Sequence, residues 1–331
     1  MSDPAEREVQ LRQVGSEDDG ARVDRWFKRH FPDLSYIQLE KLLRSGQVRV
    51  NGGRAKAGDR LSAGAEIRVP PLPAPRAAPD KPGAVPSRDR DALRDMIVYE
   101  DDRVVVLNKP PGLAVQGGTR TPRHVDGMLD ALAINGQRPR LVHRLDRDTS
   151  GLLVIARDLA ATTKLGEAFR SRDLLKVYWA VVIGAPKPLT GQVRCWLVKD
   201  AKGSDREKVR RGAQNEDGAL HAISDYVTLS NAGGRAAWVA LRPVTGRTHQ
   251  LRVHMTELGT PILGDVKYTG DRPAPEGLPR KLHLHARALA LPHPDGRLLR
   301  LTAPIPTHFK ETFEALGFDE REARDAFEPF T

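Results

Sequence analysis

Leu141-Val142-His143-Arg144-Leu145-Asp146-Arg147-Asp148-Thr149-Ser150-Gly151-Leu152-Leu153-Val154-Ile155-Ala156 joins two kinds of sequence end to end. The last five residues are an unbroken apolar run bounded by a glycine, the pattern of a strand buried on both faces. The residues before it carry hydrogen-bonding side chains at His143, Arg144, Asp146, Arg147, Asp148, Thr149 and Ser150. Polar groups set against a buried strand need partners, because an unpaired one is costly away from water. An aspartate packed among arginines is held ionised by their charge, and an ionised carboxylate can act as a nucleophile or an acid–base group. A loop held by structural salt bridges, with an Asx or Ser/Thr turn at Asp148-Thr149-Ser150-Gly151, accounts for the same residues. Spacing alone leaves both readings open.

Outward from that stretch the strand signature recurs. Residues 104–107, 177–182, 237–241 and 289–291 are short apolar runs separated by turn residues. Helical periodicity is rarer and clearest over 160–170 and 249–258. Many strands and few helices point to an α+β fold, in which residues 91–310 form a mixed, mainly antiparallel β-sheet with peripheral helices. No GxGxxG or P-loop pattern is present, so no nucleotide cofactor is expected.

Two further polar clusters lie within this region. In Val244-Thr245-Gly246-Arg247-Thr248-His249-Gln250-Leu251-Arg252-Val253-His254 a tight turn runs into a helix, whose free amides and basic side chains make an anion site. A positively charged helix start without catalysis is the plainer reading. His283-Leu284-His285-Ala286-Arg287 alternates as a strand does, placing both histidines on one face. Together with His143, His249 and His254 they suggest metal ligands. Histidine more often serves as a simple hydrogen-bonding group, and no carboxylate stands at the spacing of a zinc protease, so no metal is expected.

The N-terminal part is different in kind. Val23, Trp26 and Phe27 recur at helical spacing, and Pro32 ends that helix. Ser35-Tyr36-Ile37-Gln38 fits a capping box opening a second helix that runs through Leu39, Leu42 and Leu43 to Gly46. Val48 and Val50 then alternate toward Asn51-Gly52, a dipeptide suited to a two-residue hairpin turn, and Ile67 and Val69 supply a later strand. Arg22, Arg25, Lys28, Arg29, Lys41, Arg44 and Arg49 decorate this unit, a density suited to phosphate contacts. Residues 20–70 are therefore expected to form a small domain. The proline-rich run between Pro70 and Pro86 reads as a semi-rigid linker over 71–90, and 311–331 as an acidic C-terminal tail, either a helix packed through Phe313, Leu316 and Phe318 or a mobile segment.

The 331 residues give room for a sizeable core, and 39% hydrophobic with 29% charged residues is a globular balance. The single cysteine, Cys195, forms no internal disulfide and suits a reducing compartment. No apolar run reaches the roughly 18 residues a membrane span needs, and the first residues lack a signal-peptide centre. A cytoplasmic protein without membrane contact is expected. The net charge of +10 favours a polyanionic partner, nucleic acid first among them.

At this point the motifs assemble into a resemblance. Residues 141–156 resemble the active-site segment of the RluA family of RNA pseudouridine synthases. Residues 108–115, 176–178, 245–254 and 283–287 resemble its other motifs in order, and 22–30 with 35–52 resemble the S4 RNA-binding domain. The pair HRLDRDTSG and AVQGG is most similar to the branch acting on large-subunit ribosomal RNA, which usually has histidine at the position of Gln116. The resemblance implies that Asp146 is the catalytic carboxylate, attacking the ribose C1′ or removing a ribose proton. Arg252 corresponds to the basic partner that keeps Asp146 ionised and placed, Leu251 to a wall of the pocket, and Tyr178 to the tyrosine stacked on the uracil. Arg144 is the candidate to fill the gap left by the flipped base. His143, Arg247 and Lys109 join Arg25, Lys28, Arg29, Lys41 and Arg44 as expected RNA contacts. The expected partner is large-subunit ribosomal RNA, with no cofactor and a monomeric enzyme. A non-catalytic ribosome-assembly protein, or a metal-dependent nuclease using the histidines, are the rival readings.

Overall fold

The structure is a computed structural model and describes residues 9–32, 34, 36–72, 85–118, 121–171, 174–200 and 208–331. The chain divides into two compact units, Met1–Gly83 and Ala84–Thr331.

In the first unit the helical spacing of Val23, Trp26 and Phe27 becomes α1 (Val23–His30), with all three side chains buried and Trp26 packed edge-on against Phe27 at 5.2 Å. Next, α2 (Tyr36–Arg44) adds Leu39 and Leu43 to the same core and ends at Gly46. Gly46 has φ +70°, and the Gln47 amide turns back to donate to the Leu42 carbonyl at 3.0 Å, the reversal that glycine permits at a helix end. The capping box expected at Ser35 lies outside the described residues. β1 (Gln10–Gln13), β2 (Arg49–Val50), β3 (Gly53–Arg54) and β4 (Glu66–Val69) form one antiparallel sheet in the order β1-β4-β2-β3. Asn51 and Gly52, both at positive φ, make the hairpin turn between β2 and β3.

The second unit opens with α3 (Ser87–Asp95), so the linker drawn to residue 90 overshoots by a helical turn. Its sheet comprises β5 (Ile97–Glu100), β6 (Val104–Lys109), β7 (Arg140–Leu141), β8 (Ser150–Ala156), β9 (Leu175–Ile183), β10 (Thr190–Lys199), β11 (Val209–Gly212), β12 (Leu220–Ala232), β13 (Ala236–Pro243), β14 (Leu284–Pro292) and β15 (Leu298–Thr302). The path runs β11-β10-β12-β13-β9-β14-β8-β6-β5, with β15 beside β14 and β7 beside β8. Among the described residues every pairing of these strands is antiparallel except β8 with β14. The short helix α4 (Val125–Met128), α5 (Leu159–Arg170), α6 (Gln250–Glu257) and α7 (Thr307–Leu316) lie around it. The α+β fold with a mainly antiparallel sheet is as the sequence indicates.

Residues 311–331 are not a separate tail. The boundary at 310 falls inside α7, and Phe309, Phe313, Phe318 and Phe327 pack with Trp179 and Trp238 of the sheet. Acidic residues take the outer face of this segment while its phenylalanines serve the core, so of the two alternatives the one packed through Phe313, Leu316 and Phe318 is present.

Candidate active site

Asp146 lies in the connection between β7 and β8, and three features hold that connection in place. Gly151, the second residue of β8, has φ +109°, and a Cβ there would lie 2.3 Å from the Ala286 carbonyl oxygen. Only glycine lets β8 approach β14 so closely. Thr149 donates its amide to the Asp146 carbonyl at 3.2 Å, closing a turn directly after the aspartate. Just before that turn Leu145 is buried, while Arg144 beside it is exposed.

The third feature corrects an expectation. Lys109 is fully buried, and its ammonium donates to the carbonyls of Pro110, Leu113 and Arg147, each at 2.9 Å. Burial pushes its pKa down to about 7, against the pull of Asp148 and Asp146. All three donors are used inside the protein, so Lys109 is no RNA contact. It ties the loop after β6 to the residue following Asp146, and the Gly112 amide adds a bond to the Arg147 carbonyl at 3.0 Å.

Tyr178 reaches the same place from β9. In the sheet register Ala286 pairs with Gly151 on one side and Tyr178 on the other, so these residues form a row across β8, β14 and β9. Burial, then the nearby Asp146 charge, raises the Tyr178 pKa well above the usual phenol range, leaving its hydroxyl protonated at neutral pH.

The segment after β13 closes the site. Gln250 is buried, and its amide is fully employed. Its Oε1 accepts from the Thr245 hydroxyl at 2.7 Å and the Arg247 amide at 3.1 Å, and its Nε2 donates to the Ile223 carbonyl and Ser224 Oγ, both at 2.8 Å. A satisfied buried amide of this kind fixes the turn that starts α6. From that helix Arg252 points its Nη1 at Asp146 Oδ2, 3.7 Å away. His249, just before the helix, has Nε2 3.7 Å from the same oxygen.

Arg252 is not simply the partner of Asp146. Its Nε and Nη2 make a bidentate pair with Asp265, both at 2.7 Å, and the Asp265 side chain is fully buried. Asp265 also accepts the Lys267 and Tyr268 amides, at 2.8 and 3.1 Å. Burial alone raises a carboxyl pKa, yet here the Arg252 bonds and charge prevail and lower it. Charge-assisted, two-point bonding makes Asp265 the closer partner, and Asp146 faces the remaining nitrogen. Asp265 and Tyr268 were not legible in the sequence, because they lie in a loop with no helical or strand period.

Asp146, Tyr178, Leu251 and Arg252 line a cavity of about 420 Å³, with Arg144 and Arg247 exposed at its edge. Such a volume suits a ligand of nucleotide size. His143 also lines it, but its Nε2 accepts the Val154 amide at 2.8 Å and its ring stacks on Phe169 at 4.1 Å. Burial, with Lys176 nearby, pushes its pKa down to about 3, so its ring is neutral and braces β8 rather than offering RNA a cation.

The other histidines do not converge. His283 bonds Thr312 Oγ1 at 2.8 Å, and His285 bonds Ser150 Oγ at 2.9 Å. His254 is buried, its pKa pushed down to about 4. Among the described residues no group of three or more potential ligands is placed to hold a metal.

The basic residues expected of the N-terminal unit are exposed, and they differ in partners. Arg29 pairs with the buried Asp18, so part of its charge is spent within the fold. Arg44 lies 3.6 Å from Glu40. Arg25, Lys28 and Lys41 have no acidic partner among the described residues.

A carboxylate on a cavity wall, faced by a protonated tyrosine and backed by a buried arginine pair, defines an enzyme site on an antiparallel sheet. The chain belongs to the RNA pseudouridylate synthase family, whose pattern matches residues 103–257. It is 36% identical over 298 residues to Ribosomal large subunit pseudouridine synthase C of Rickettsia felis, covering 88% of this chain and 96% of that one. With the protein of the same name from Escherichia coli K12 it shares 36% identity over 318 residues, 93% and 97% of the two chains. The solved structure of Human RNA Pseudouridylate Synthase Domain Containing 4 is similar at a TM-score of 0.58 and 34% identity, covering 69% of this chain and 95% of that one. The protein is thus an isomerase with an RNA substrate.

Proposed function

We propose that this cavity isomerises specific uridines of large-subunit ribosomal RNA, with Asp146 as the catalytic carboxylate. The observation that carries the reading is the placement of Asp146. Its carboxylate keeps 27% of its surface open on the cavity while Arg252 and His249 face it from the protein side. A side chain held from behind and open in front is placed to act on a substrate.

The reaction breaks the C1′–N1 bond, turns the uracil, and joins C1′ to C5. The C5 proton leaves, N1 gains one, and nothing is oxidised or reduced. Charge develops at the anomeric carbon, where a carboxylate is effective. Tyr178 supplies a flat, apolar face for the uracil. The base must first leave its stack, at about a few kcal/mol, and the exposed guanidinium of Arg144 fits the gap while contacting phosphate. Leu251 walls the base, and Arg247 lies where the backbone enters.

The ribosomal target rests on the relatives' names together with the basic first unit. Residues 20–70 act in this reading as an S4-like RNA-binding domain, in which Arg25, Lys28 and Lys41 are the freest phosphate contacts. The same reading describes a cytoplasmic monomer that needs no cofactor. Among the described residues no helix is long and apolar enough to cross a membrane. Mapping pseudouridines in total RNA of cells lacking the protein tests the target. Missing sites confined to large-subunit RNA are expected, and losses only in other RNAs would overturn it.

A further inference from the structure

Behind Asp146 the loop following α6 does more than pair with Arg252. Tyr268 is buried, and its hydroxyl accepts the Val209 amide at 2.9 Å. The same hydroxyl lies 2.8 Å from His249 Nδ1. A phenol has one proton to give, and among the described residues His249 Nδ1 is the acceptor within reach of it. The proton of a neutral imidazole then sits on Nε2, the nitrogen 3.7 Å from Asp146 Oδ2.

His249 holds this place at a backbone cost. It has φ +52° and ψ +18°, the left-handed region that residues with a Cβ rarely adopt, and its side chain is 4% exposed. Strain of this kind persists where the surroundings over-determine it, and it marks sites where position matters. A helix could begin here without it. The strained turn instead directs the imidazole edge at the carboxylate.

We propose that His249 is a positioning residue for Asp146, held by Tyr268 as the tautomer that presents Nε2–H to the carboxylate. Two short chains then run from one loop to one oxygen. Asp265 fixes Arg252, Tyr268 fixes His249, and both arms face Asp146 Oδ2. Gly264, which begins that loop, has φ +75°, and a Cβ there would lie 2.0 Å from the Lys281 carbonyl oxygen. The loop that carries Asp265 and Tyr268 is thereby pressed against the segment at Lys281. A carboxylate with two fixed donors behind one oxygen has its other oxygen directed outward, where the ribose would lie.

The inference rests on Asp146 as the catalytic group, and the test separates the two claims. Single-turnover rates at saturating RNA, RNA affinity and melting are compared for Tyr268→Phe, His249→Ala, His249→Gln, the pair Tyr268→Phe/His249→Ala, and Asp146→Asn. Tyr268→Phe and His249→Ala should each slow the reaction on the order of tenfold to a hundredfold, with RNA affinity within about twofold. Because they act in series, the double variant should be no slower than His249→Ala alone. His249→Gln, which returns an N–H at similar reach, should recover part of the rate. A Tyr268→Phe enzyme as fast as wild type overturns the relay, as do losses that multiply in the double variant. Rate, affinity and melting falling together in every variant, with no rescue by glutamine, would make the pair merely structural and overturn it too. If Asp146→Asn itself turns over, the catalytic reading fails instead.

Discussion

Arg252 faces two carboxylates, and their unequal claims set what its loss should do. Asp265 is held at 2.7 Å by two nitrogens and is fully buried, whereas Asp146 is 3.7 Å away and partly open. Arg252→Leu should therefore destabilise the second unit by about 3–5 kcal/mol, chiefly because Asp265 is left charged and unpaired in the core. Denaturant unfolding checks this, and the double variant Arg252→Leu/Asp265→Leu should regain part of the stability without regaining turnover. A single variant as stable as wild type would contradict the assignment. Such detail was legible in the sequence only in part. Asp146, Tyr178 and Arg252 stood out because their motifs are contiguous and rich in chemistry. Lys109 and His143 stood in motifs as well, yet the fold uses Lys109 to bind carbonyls and His143 to brace a strand. Motif membership shows that a position matters and leaves open whether it faces substrate or core.

Elements with continuous apolar runs, such as β6, β8, β9 and β13, could be read directly, because burial on both faces leaves a one-sided signal. β10 and the thirteen-residue β12 escaped a reading by apolar runs, since polar and charged residues interrupt them. α7 was legible only as one of two alternatives, through Phe313 and Leu316, because the acidic charge of its segment also suits a mobile tail. Its contact with the sheet brings a pH dependence, for it packs over His283, whose pKa burial lowers to about 4, and His285, lowered to about 3. Unfolded histidine titrates near 6.5. A folded pKa below the unfolded one means the unfolded chain binds more protons, so this stability is complete above about pH 6.5 and is lost as pH falls below it. Melting temperature should fall between pH 6.5 and 5, a window above the ordinary carboxylate range. His283→Gln should flatten that fall, and identical melting at both pH values would contradict the account.

At the scale of the whole molecule, the chain has two units with separate cores. Residues 84–331 alone should fold and keep the catalytic cavity, since both arms behind Asp146 lie within them. Removing the first unit should weaken RNA binding and flatten its salt dependence by about 0.7 to 0.9 in log–log slope per lost phosphate contact. Equal slopes for the two proteins in titrations of one ribosomal RNA fragment would mean that the basic unit does not touch RNA. The central claim, that the Asp146 carboxylate carries out isomerisation, has a more direct test. Isomerisation removes the hydrogen from C5 of uridine, so RNA tritiated at that position releases tritium to water as pseudouridine forms. Wild-type protein should release it from large-subunit RNA, whereas Asp146→Asn, nearly unchanged in shape, melting and RNA affinity, should release none above background. Sustained release by a folded Asp146→Asn preparation free of wild-type enzyme would contradict the account.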